Sequence, residues 1–318
     1  MNATASAPAG SYLGIDIGGT KVALCRWRPQ GRLQRLDEFP SAGPDETFEN
    51  IGARLRGRLP RDLVAIGIAC GGPLDAKRGL ILSPPNLPGW DEVPITRLLT
   101  HLTGAPSFLV NDANANALAE WRFGAGRDCD SLIYLTAGTG MGAGIVLNGR
   151  LVTGANGNAG EVGHWRLAAR GPEGYHKRGS FEGYCSGGAL PELVQYLPTA
   201  ERPADWRVWR QAHPTAKAIG RAADAGDATA QAVLRLSGEK LGAALALLID
   251  ALDPECIVAG NLYRRCRRWL EPAMRRVINA EALSPGAQTC SIRSARLGER
   301  IGDYGAICAA LHGLGVLG

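Results

Sequence analysis

Two hydrophobic periods alternate along this chain, and they predict strands and helices in succession. Short apolar runs bounded by glycine or polar residues are typical of buried strands, whereas longer amphipathic segments are typical of helices. The predicted strands lie at 12–17, 21–27, 255–261 and 290–298, in the first parts of 63–74 and 105–126, and on both sides of the glycines in 131–152. The predicted helices span 45–58, 214–252, 262–280 and 305–314, together with the second part of 105–126, which ends at Gly124. This alternation predicts an α/β fold.

The segments between these elements are polar or rich in proline and glycine. Residues 83–90 predict a proline-rich loop, and residues 154–190 predict a polar, loop-rich region. A strand–glycine–strand hairpin near 13–27 has a counterpart near 131–147, so the pattern contains a two-fold echo. Residues 1–11 are expected to form a disordered tail, because the first ten lack both the positive start and the long apolar run of a signal peptide.

Length, composition and charge set further limits. The chain has 318 residues, 45% apolar and 20% charged, which suits two domains with a sizeable core. No apolar run approaches the roughly 18 residues of a membrane helix, so no membrane partner is expected. The eight cysteines form no C-x-x-C pair, which favours buried free thiols in a reducing cytoplasm. The net charge is +5, and the basic run at 263–276 is interpreted as a solvated helix face. No nucleic-acid partner is expected, since no DNA-reading motif accompanies that run.

Two glycine-rich hairpins carry the first candidate chemistry, because their backbone N–H groups are open to approach and could cradle phosphate oxygens. The first hairpin offers Gly18, Gly19, Thr20 and Lys21, and the second offers Gly138, Thr139, Gly140 and Gly142. Each leads from a strand into a strand, so neither is the dinucleotide fingerprint, which must lead into a helix. Ordinary hairpin turns are the alternative interpretation. Asp16 lies in an apolar strand just before the first hairpin, where a magnesium ion beside phosphates, bound directly or through water, would offset its desolvation.

Polar residues at a predicted strand end and in a glycine-rich segment form the second candidate site. Asp112 follows an apolar strand and begins a helix, a position at which α/β proteins place functional groups. It could cap that helix, or it could be the base that orients a hydroxyl and accepts its proton during phosphoryl transfer. Glu161 and His164, three residues apart, offer acceptor and donor groups that suit a polyol.

Four motifs occur in order along the chain, and together they resemble a known family. They are "GIDIGGTK", "NDANANALAEWRFG", "YLTAGTGMGAG" and "GNAGEVGH". From residue 12 to its end the chain resembles the ROK family of repressors and sugar kinases. The resemblance implies two ribonuclease-H-like α/β lobes, of the actin, hexokinase and heat-shock ATPase class, with an interdomain cleft. It implies a small lobe over 12–122, completed by the C-terminal helix 303–318, and a large lobe over 123–302.

The same resemblance implies which residues meet the two substrates, ATP and a hexose, with Mg²⁺ as cofactor. It makes Asp112 the catalytic general base. The implied sugar contacts are Asn86, Asn111, Asp112, Glu161, His164 and Glu182. The implied ATP contacts are Asp16, which also meets the magnesium ion, the residues of both hairpins, and Gly260 with Asn261 near the nucleoside.

The chain departs from the family at its zinc site. Typical members carry three cysteines before the glutamate that corresponds to Glu182, and these positions are Glu173, Tyr175 and Ser180 here. A structural zinc site needs four nitrogen or sulfur ligands, so no zinc is expected. Packing and hydrogen bonds are therefore expected to hold the loop 165–181, which leaves His164 to serve the sugar alone.

The expected function is ATP-dependent phosphorylation of a hexose, by resemblance at the 6-hydroxyl, with glucose or fructose slightly favoured. The alternative substrates are N-acetylhexosamines, namely N-acetylglucosamine and N-acetylmannosamine. Another alternative is a non-catalytic sugar sensor or transcriptional regulator. The resembled regulators carry a winged helix-turn-helix domain first, and only about a dozen residues precede the first predicted strand here. The resemblance also implies a homodimer, and the free cysteines favour the cytoplasm.

Overall fold

The structure is a computed structural model that describes residues 6–138 and 140–317. Its elements confirm the predicted α/β class. The strands are β1 (Ser11–Ile17), β2 (Lys21–Trp27), β3 (Gln34–Pro40), β4 (Leu63–Cys70), β5 (Leu74–Asp75), β6 (Leu80–Ile81), β7 (Ser107–Asn111), β8 (Leu132–Ala137), β9 (Met141–Leu147), β10 (Arg150–Leu151), β11 (Glu173–Gly174), β12 (Lys177–Arg178), β13 (Cys256–Ala259) and β14 (Ser291–Ser294). The helices are α1 (Pro44–Leu55), α2 (Ile95–Thr103), α3 (Asp112–Phe123), α4 (Phe181–Cys185), α5 (Trp206–Ala212), α6 (Ala216–Asp224), α7 (Ala228–Leu252), α8 (Asn261–Glu281), α9 (Ser284–Thr289) and α10 (Ile301–Gly313). Short 3₁₀ turns lie at Val162–His164, Leu190–Tyr196 and Gly298–Arg300.

Two five-stranded sheets organise these elements. The first has the order β3-β2-β1-β4-β7, and the second has the order β10-β9-β8-β13-β14. In the first sheet β1, β4 and β7 run parallel, β2 pairs antiparallel with β1, and β3 pairs antiparallel with β2. In the second sheet β8, β13 and β14 run parallel. When the strands of each sheet are numbered as they occur in the chain, both sheets read 3-2-1-4-5. The hairpin pattern that occurs twice in the sequence therefore reflects a sheet topology that occurs twice in the structure.

The chain forms two compact units. The first unit comprises the described parts of Met1–Asp130, Gly144–Ala159 and Arg296–Gly318, and the second comprises those of Ser131–Ala143 and Gly160–Ala295. The lobe limits given from the sequence stay a prediction. The strand β1 begins at Ser11, at the end of the predicted tail.

The two faces of β1 explain how the first unit packs. Successive side chains of a strand point to opposite faces. Leu13, Ile15 and Ile17 join the large aliphatic cluster on one face. Gly14 and Asp16 therefore lie on the other face, where α10 packs. A Cβ placed on Gly67, the partner of Gly14 in β4, would lie 1.8 Å from the Ala306 carbonyl oxygen of α10. Glycine is thus required there for the helix to lie on the sheet, and this packing brings α10 beside Asp16.

In the second unit, helices α7 and α8 pack together through glycines. A Cβ on Gly238 would lie 2.5 Å from the Leu270 carbonyl oxygen, and one on Gly242 would lie 2.5 Å from that of Met274. Side chains at either position would push the helices apart. No helix of the described residues is long and apolar enough to cross a membrane.

All eight cysteines are free and buried, as the sequence predicted. Burial raises the pKa of the Cys185 thiol to about 12 and that of Cys266 to about 11. These thiols are uncharged packing groups at neutral pH.

Candidate functional site

The strand β7 and the helix α3 meet at Asn111 and Asp112. The side-chain oxygen of Asn111 accepts hydrogen bonds from the N–H groups of Ala113, at 3.0 Å, and Asn114, at 3.4 Å. Asn111 is therefore the N-cap of α3, and its cap bonds satisfy N–H groups that a helix start leaves unpaired. Asp112 also accepts from the Ala113 N–H, at 2.8 Å, but only through Oδ1. Because Asn111 caps the helix, Asp112 is not needed for that task.

The Asp112 carboxyl group combines solvent access with close protein surroundings. The residue is exposed, yet burial raises the pKa of its carboxyl group, and the Ala113 N–H partly opposes that shift. A Cβ on Gly71, which follows β4, would lie 3.8 Å from Asp112 Oδ2. Glycine at 71 therefore leaves room beside that oxygen for another molecule.

Asp16 lies near the carboxyl end of β1, in the same sheet. Its pKa is raised to about 7, first by burial, then by the charges of Asp112 and Asp303, against the opposing effect of Lys21 and Arg35. A Cβ on Gly302 would lie 2.0 Å from Asp16 Oδ2, so the carboxylate packs on the first turn of α10. Asp16 and Asp112 thus stand at the carboxyl ends of two parallel strands, where α/β sheets bind ligands.

An ion pair beside Asp16 was not found by the sequence reasoning. Asp303, which is buried, binds Arg35 through Nη2 at 2.9 Å and Nε at 3.1 Å. Such bidentate pairs are among the stronger charge-assisted interactions. Asp303 could have been noticed in the sequence, because it is an acidic residue at the start of the apolar helix "IGDYGAICAAL". No sequence signal pointed to Arg35, which lies in the mostly polar strand β3.

The first glycine hairpin turns between β1 and β2. The Gly18 N–H donates to the Lys21 carbonyl oxygen at 3.0 Å. A Cβ on Gly19 would lie 2.6 Å from the Asn86 Cβ, so Asn86 packs directly on the hairpin. The Lys21 ammonium group lies 2.8 Å from Glu38 Oε2 and is paired with it. Thr20 is exposed.

The second glycine hairpin joins β8 to β9, and Thr139 in it lies outside the described residues. The Gly138 carbonyl oxygen accepts from the Gly187 N–H at 2.8 Å. The Met141 N–H donates to Glu182 Oε2 at 2.9 Å. A Cβ on Gly140 would lie 2.8 Å from that same oxygen. Gly142 is the second residue of β9.

The residues at the predicted nucleoside end lie close to this hairpin. Asn261 begins α8, directly after Gly260 and the buried strand β13. A Cβ on Gly138 would lie 3.8 Å from Asn261 Nδ2, and one on Gly260 would lie 2.6 Å from Tyr134 Oη. Glycine at 260 is therefore required by close packing within the second unit.

Glu161 precedes the 3₁₀ turn Val162–His164, His164 is its last residue, and the turn packs on the same hairpin. A Cβ on Gly163 would lie 2.2 Å from the Met141 carbonyl oxygen. Glu161 is exposed, and His164 is half-buried with its ring 5.1 Å from that of Tyr175, edge to face. The second unit thus brings Glu161, His164 and Glu182 to elements that contact one hairpin.

A sequence model of the ROK family matches residues 12–312. The chain belongs to the ROK family. The predicted family and its fold class of ribonuclease-H-like lobes are therefore confirmed.

Several known proteins are similar over nearly the whole length of this chain. A glucokinase from Halalkalibacterium halodurans is 32% identical over 307 residues, which are 92% of this chain and 93% of the relative. The crystal structure of a ROK glucokinase from Streptomyces griseus, in complex with glucose and AMPPNP, is 30% identical with a TM-score of 0.76, covering 95% of this chain and 100% of that one. A ROK transcriptional regulator, a homologue of the E. coli MLC protein, is 25% identical with a TM-score of 0.80, covering 94% of this chain and 77% of that one.

Hydrogen bonds and packing hold the loop 165–181. Within the described residues, no cluster of three or more histidine, cysteine or acidic side chains could hold a metal ion. The Gly179 carbonyl oxygen accepts from the Leu167 N–H at 2.8 Å, and the Gly179 N–H donates to Pro172 at 2.8 Å. The Phe181 N–H donates to Trp165 at 2.8 Å, and the Phe181 ring is buried. These bonds close the loop.

The Asp16 carboxylate fits a magnesium ion bound together with phosphate groups. Magnesium prefers oxygen ligands and is commonly held by one or two carboxylates plus substrate phosphates. Like charges and burial disfavour the ionised form of Asp16, as its pKa of about 7 indicates. A cation beside it would offset both effects. The chemistry of Asp16 thus fits the ion.

We expect Asp16→Asn to stabilise the unliganded protein at pH 8, because an uncharged amide avoids this penalty. The unfolded carboxyl group loses its proton near pH 4 and the folded one near pH 7. The free energy of unfolding of the wild type therefore falls as the pH rises between these values. Above pH 7 the whole loss caused by ionisation of Asp16 is present. Urea unfolding should show a gain of about 4 kcal/mol at pH 8 that shrinks towards pH 4.

The matched control is Asp45→Asn, which removes an exposed charge of the same unit. It should stay within about 0.5 kcal/mol of wild type at every pH. A gain for Asp16→Asn that does not depend on pH would contradict this account of Asp16.

Proposed function

We propose that this chain transfers the γ-phosphoryl group of ATP to the 6-hydroxyl of a hexose, with Asp112 as the general base. ROK family membership and the glucokinase relatives support the broader statement that it is an ATP-dependent sugar kinase. The observation that carries the catalytic proposal is the Asp112 carboxylate. It is accessible at the carboxyl end of a parallel strand and is relieved of helix capping by Asn111.

The proton of the attacking hydroxyl passes to Asp112 in the proposed reaction. The hydroxyl donates a hydrogen bond to Oδ2, which Gly71 leaves unobstructed. The hydroxyl oxygen then bonds to the γ-phosphorus as the bond to the β,γ-bridging oxygen breaks, and ADP leaves. A raised pKa makes Asp112 a stronger base than an ordinary aspartate, which favours proton transfer.

The nucleotide is proposed to bind through the glycine hairpins. The backbone N–H groups of Gly19 and Thr20 in the first unit, and those of Gly138, Gly140 and Gly142 in the second, are proposed to donate to phosphate oxygens, with Thr139 as a further predicted contact. The N–H groups of Gly18 and Met141 hold the hairpins instead, since they already donate to the Lys21 carbonyl oxygen and to Glu182. Lys21 would have to leave Glu38 to reach a phosphate. When bound, Mg²⁺ supplies charge neutralisation for the phosphates, and Asp16 would hold it. Gly260 and Asn261 are proposed to contact the nucleoside.

Each unit carries proposed sugar contacts of its own. From the first unit these are Asn86 and the amide nitrogen of Asn111, whose oxygen is used in the cap. From the second unit they are Glu161, His164 and Glu182. Paired polar partners are needed because a hydroxyl that leaves water without one loses stability. The homodimer also stays a prediction.

Release of ADP with Mg-ATP and a panel of sugars tests this proposal. The panel contains glucose, fructose, mannose, N-acetylglucosamine and N-acetylmannosamine, and the product is located by phosphorus–carbon coupling in NMR spectra. We expect glucose to be phosphorylated on its 6-hydroxyl, since similar ROK proteins are glucokinases. Tight sugar binding without ADP release from any sugar would instead indicate a sensor. Turnover with an N-acetylhexosamine alone would show that the substrate is an N-acetylhexosamine and not glucose.

A further inference from the structure

The side chain of Glu182 lies against the second glycine hairpin, which we call the phosphate hairpin (residues 138–142). We infer that Glu182 is a positioning residue of the phosphate hairpin, in addition to its proposed contact with the sugar. Through it, sugar binding and nucleotide binding are coupled within the second unit. This inference rests on the proposed function and deepens it.

One carboxyl oxygen of Glu182 is committed to the hairpin. Oε2 accepts the Met141 N–H at 2.9 Å, and a Cβ on Gly140 would lie only 2.8 Å from it. A side chain at position 140 would therefore displace the carboxylate. The bond is charge-assisted, and such bonds are stronger than those between neutral groups. It fixes the direction of the backbone where β9 leaves the hairpin.

The backbone that carries Glu182 is itself firmly held. Ser180 caps the short helix α4 by accepting the Gly183 N–H at 3.1 Å. Phe181, beside Glu182, is fully buried. After α4, the Gly187 N–H donates to the Gly138 carbonyl oxygen at 2.8 Å. Helix α4 and the residues after it therefore hold both ends of the phosphate hairpin.

The other carboxyl oxygen of Glu182 is the one that faces a ligand in our proposal. Within the described residues, Oε1 has no hydrogen-bond partner, and the side chain is half-buried. A carboxylate can accept several hydrogen bonds through its two oxygens. A sugar hydroxyl bound to Oε1 would restrict the carboxylate, and hence the Met141 N–H on Oε2. The nucleotide would then meet a hairpin that is already ordered, which raises its affinity.

The first unit has a related arrangement. A Cβ on Gly19 would lie 2.6 Å from the Cβ of Asn86 and 2.9 Å from its carbonyl oxygen. In each unit, a residue proposed to bind sugar thus packs on a hairpin proposed to bind phosphate. The contact of Glu182 is the more direct of the two, because its functional group makes the bond.

Calorimetric titration of Mg-AMPPNP, with and without saturating glucose, tests the inference in three variants. Glu182→Ala should weaken AMPPNP binding about tenfold in the absence of glucose, because the Met141 N–H loses a charged acceptor. Glu182→Gln keeps an acceptor oxygen and should stay within about threefold of wild type. In the matched control His164→Ala, AMPPNP binding without glucose should be unchanged while glucose binding is weakened.

Glucose should tighten AMPPNP binding in wild type and leave it unchanged in Glu182→Ala. By linkage, AMPPNP should tighten glucose binding by the same factor in wild type. If Glu182→Ala does not fold, Glu182→Asp replaces it, since its carboxylate is drawn back by one methylene and should weaken AMPPNP binding likewise.

Two results would overturn the inference and leave the proposed function intact. One is wild-type AMPPNP affinity in Glu182→Ala when only glucose binding is lost. The other is a Glu182→Gln variant that melts like wild type and binds AMPPNP as weakly as Glu182→Ala. Failure of wild type to bind Mg-AMPPNP at all would overturn the proposed function together with the inference.

Discussion

Asp112→Asn is expected to lower kcat for sugar phosphorylation by at least about a thousandfold while sugar binding is largely retained. An asparagine side chain can still bind a hydroxyl but cannot accept its proton. It also presents either an N–H group or an oxygen to the substrate, so the hydroxyl loses its orientation. Proton transfer alone contributes about a hundredfold to ten-thousandfold in enzymes, and loss of orientation adds to this. The measurement is steady-state ADP release, with glucose binding followed separately by calorimetry.

The capping arrangement makes this substitution a clean test. Asn111 and not Asp112 caps α3, so the helix should keep its start in the variant. Thermal unfolding should stay close to that of wild type, and Asp45→Asn should retain full turnover. If Asp112→Asn kept more than a tenth of wild-type turnover, Asp112 would not be the general base.

Gly67→Ala is expected to destabilise the first unit by about 3 kcal/mol or more. The added Cβ would lie 1.8 Å from the Ala306 carbonyl oxygen and 2.5 Å from the Ala310 nitrogen. Both atoms belong to the backbone of α10, which cannot turn aside as a flexible side chain could. The helix must shift as a whole from a buried sheet face, and the shift would also disturb the contact of Gly302 with Asp16. Urea unfolding gives the free energy.

Gly52→Ala is the matched control in the same unit. Gly52 lies within α1, and its added Cβ would meet only Leu102 methyl groups, at 3.8 and 3.9 Å. Alanine at this site should stabilise the protein by about 0.5 to 1 kcal/mol, because glycine is the poorer helix former. Equal effects of the two substitutions on the free energy of unfolding would show that close packing against α10 does not determine the stability of the first unit.

The sequence predicted the buried elements well because burial leaves a periodic signal. The strands β1, β4 and β8 are apolar runs that end in glycine or polar residues. The strand β3 was not predicted, since "QRLDEFP" is mostly polar and only one of its seven residues, Phe39, is buried. An edge strand with one paired side does not need an apolar pattern. Helix α2 was not predicted either, and the predicted helix 214–252 is interrupted before Ala228.

Candidate site residues were predictable where a motif named them, and their partners were not. The Arg35–Asp303 pair joins residues 268 positions apart, and no local pattern relates them. The bond from Met141 to Glu182 spans 41 positions and uses a backbone N–H, which every residue type except proline possesses. The cap of α3 could not be assigned from sequence, because asparagine and aspartate stand side by side and both are good caps. Such contacts form only once folding brings distant residues together, so a local sequence pattern does not predict them.

The buried thiols provide an internal probe of how each unit opens. A thiol-specific reagent reacts with the thiolate, and burial denies it both access and that charged form. Alkylation therefore requires local or global unfolding of the surrounding element. Cys25, Cys70 and Cys308 would report on the first unit, while Cys185, Cys256 and Cys266 would report on the second. Mass spectrometry of pulse-labelled wild-type protein would then give separate opening rates for the two units without any substitution.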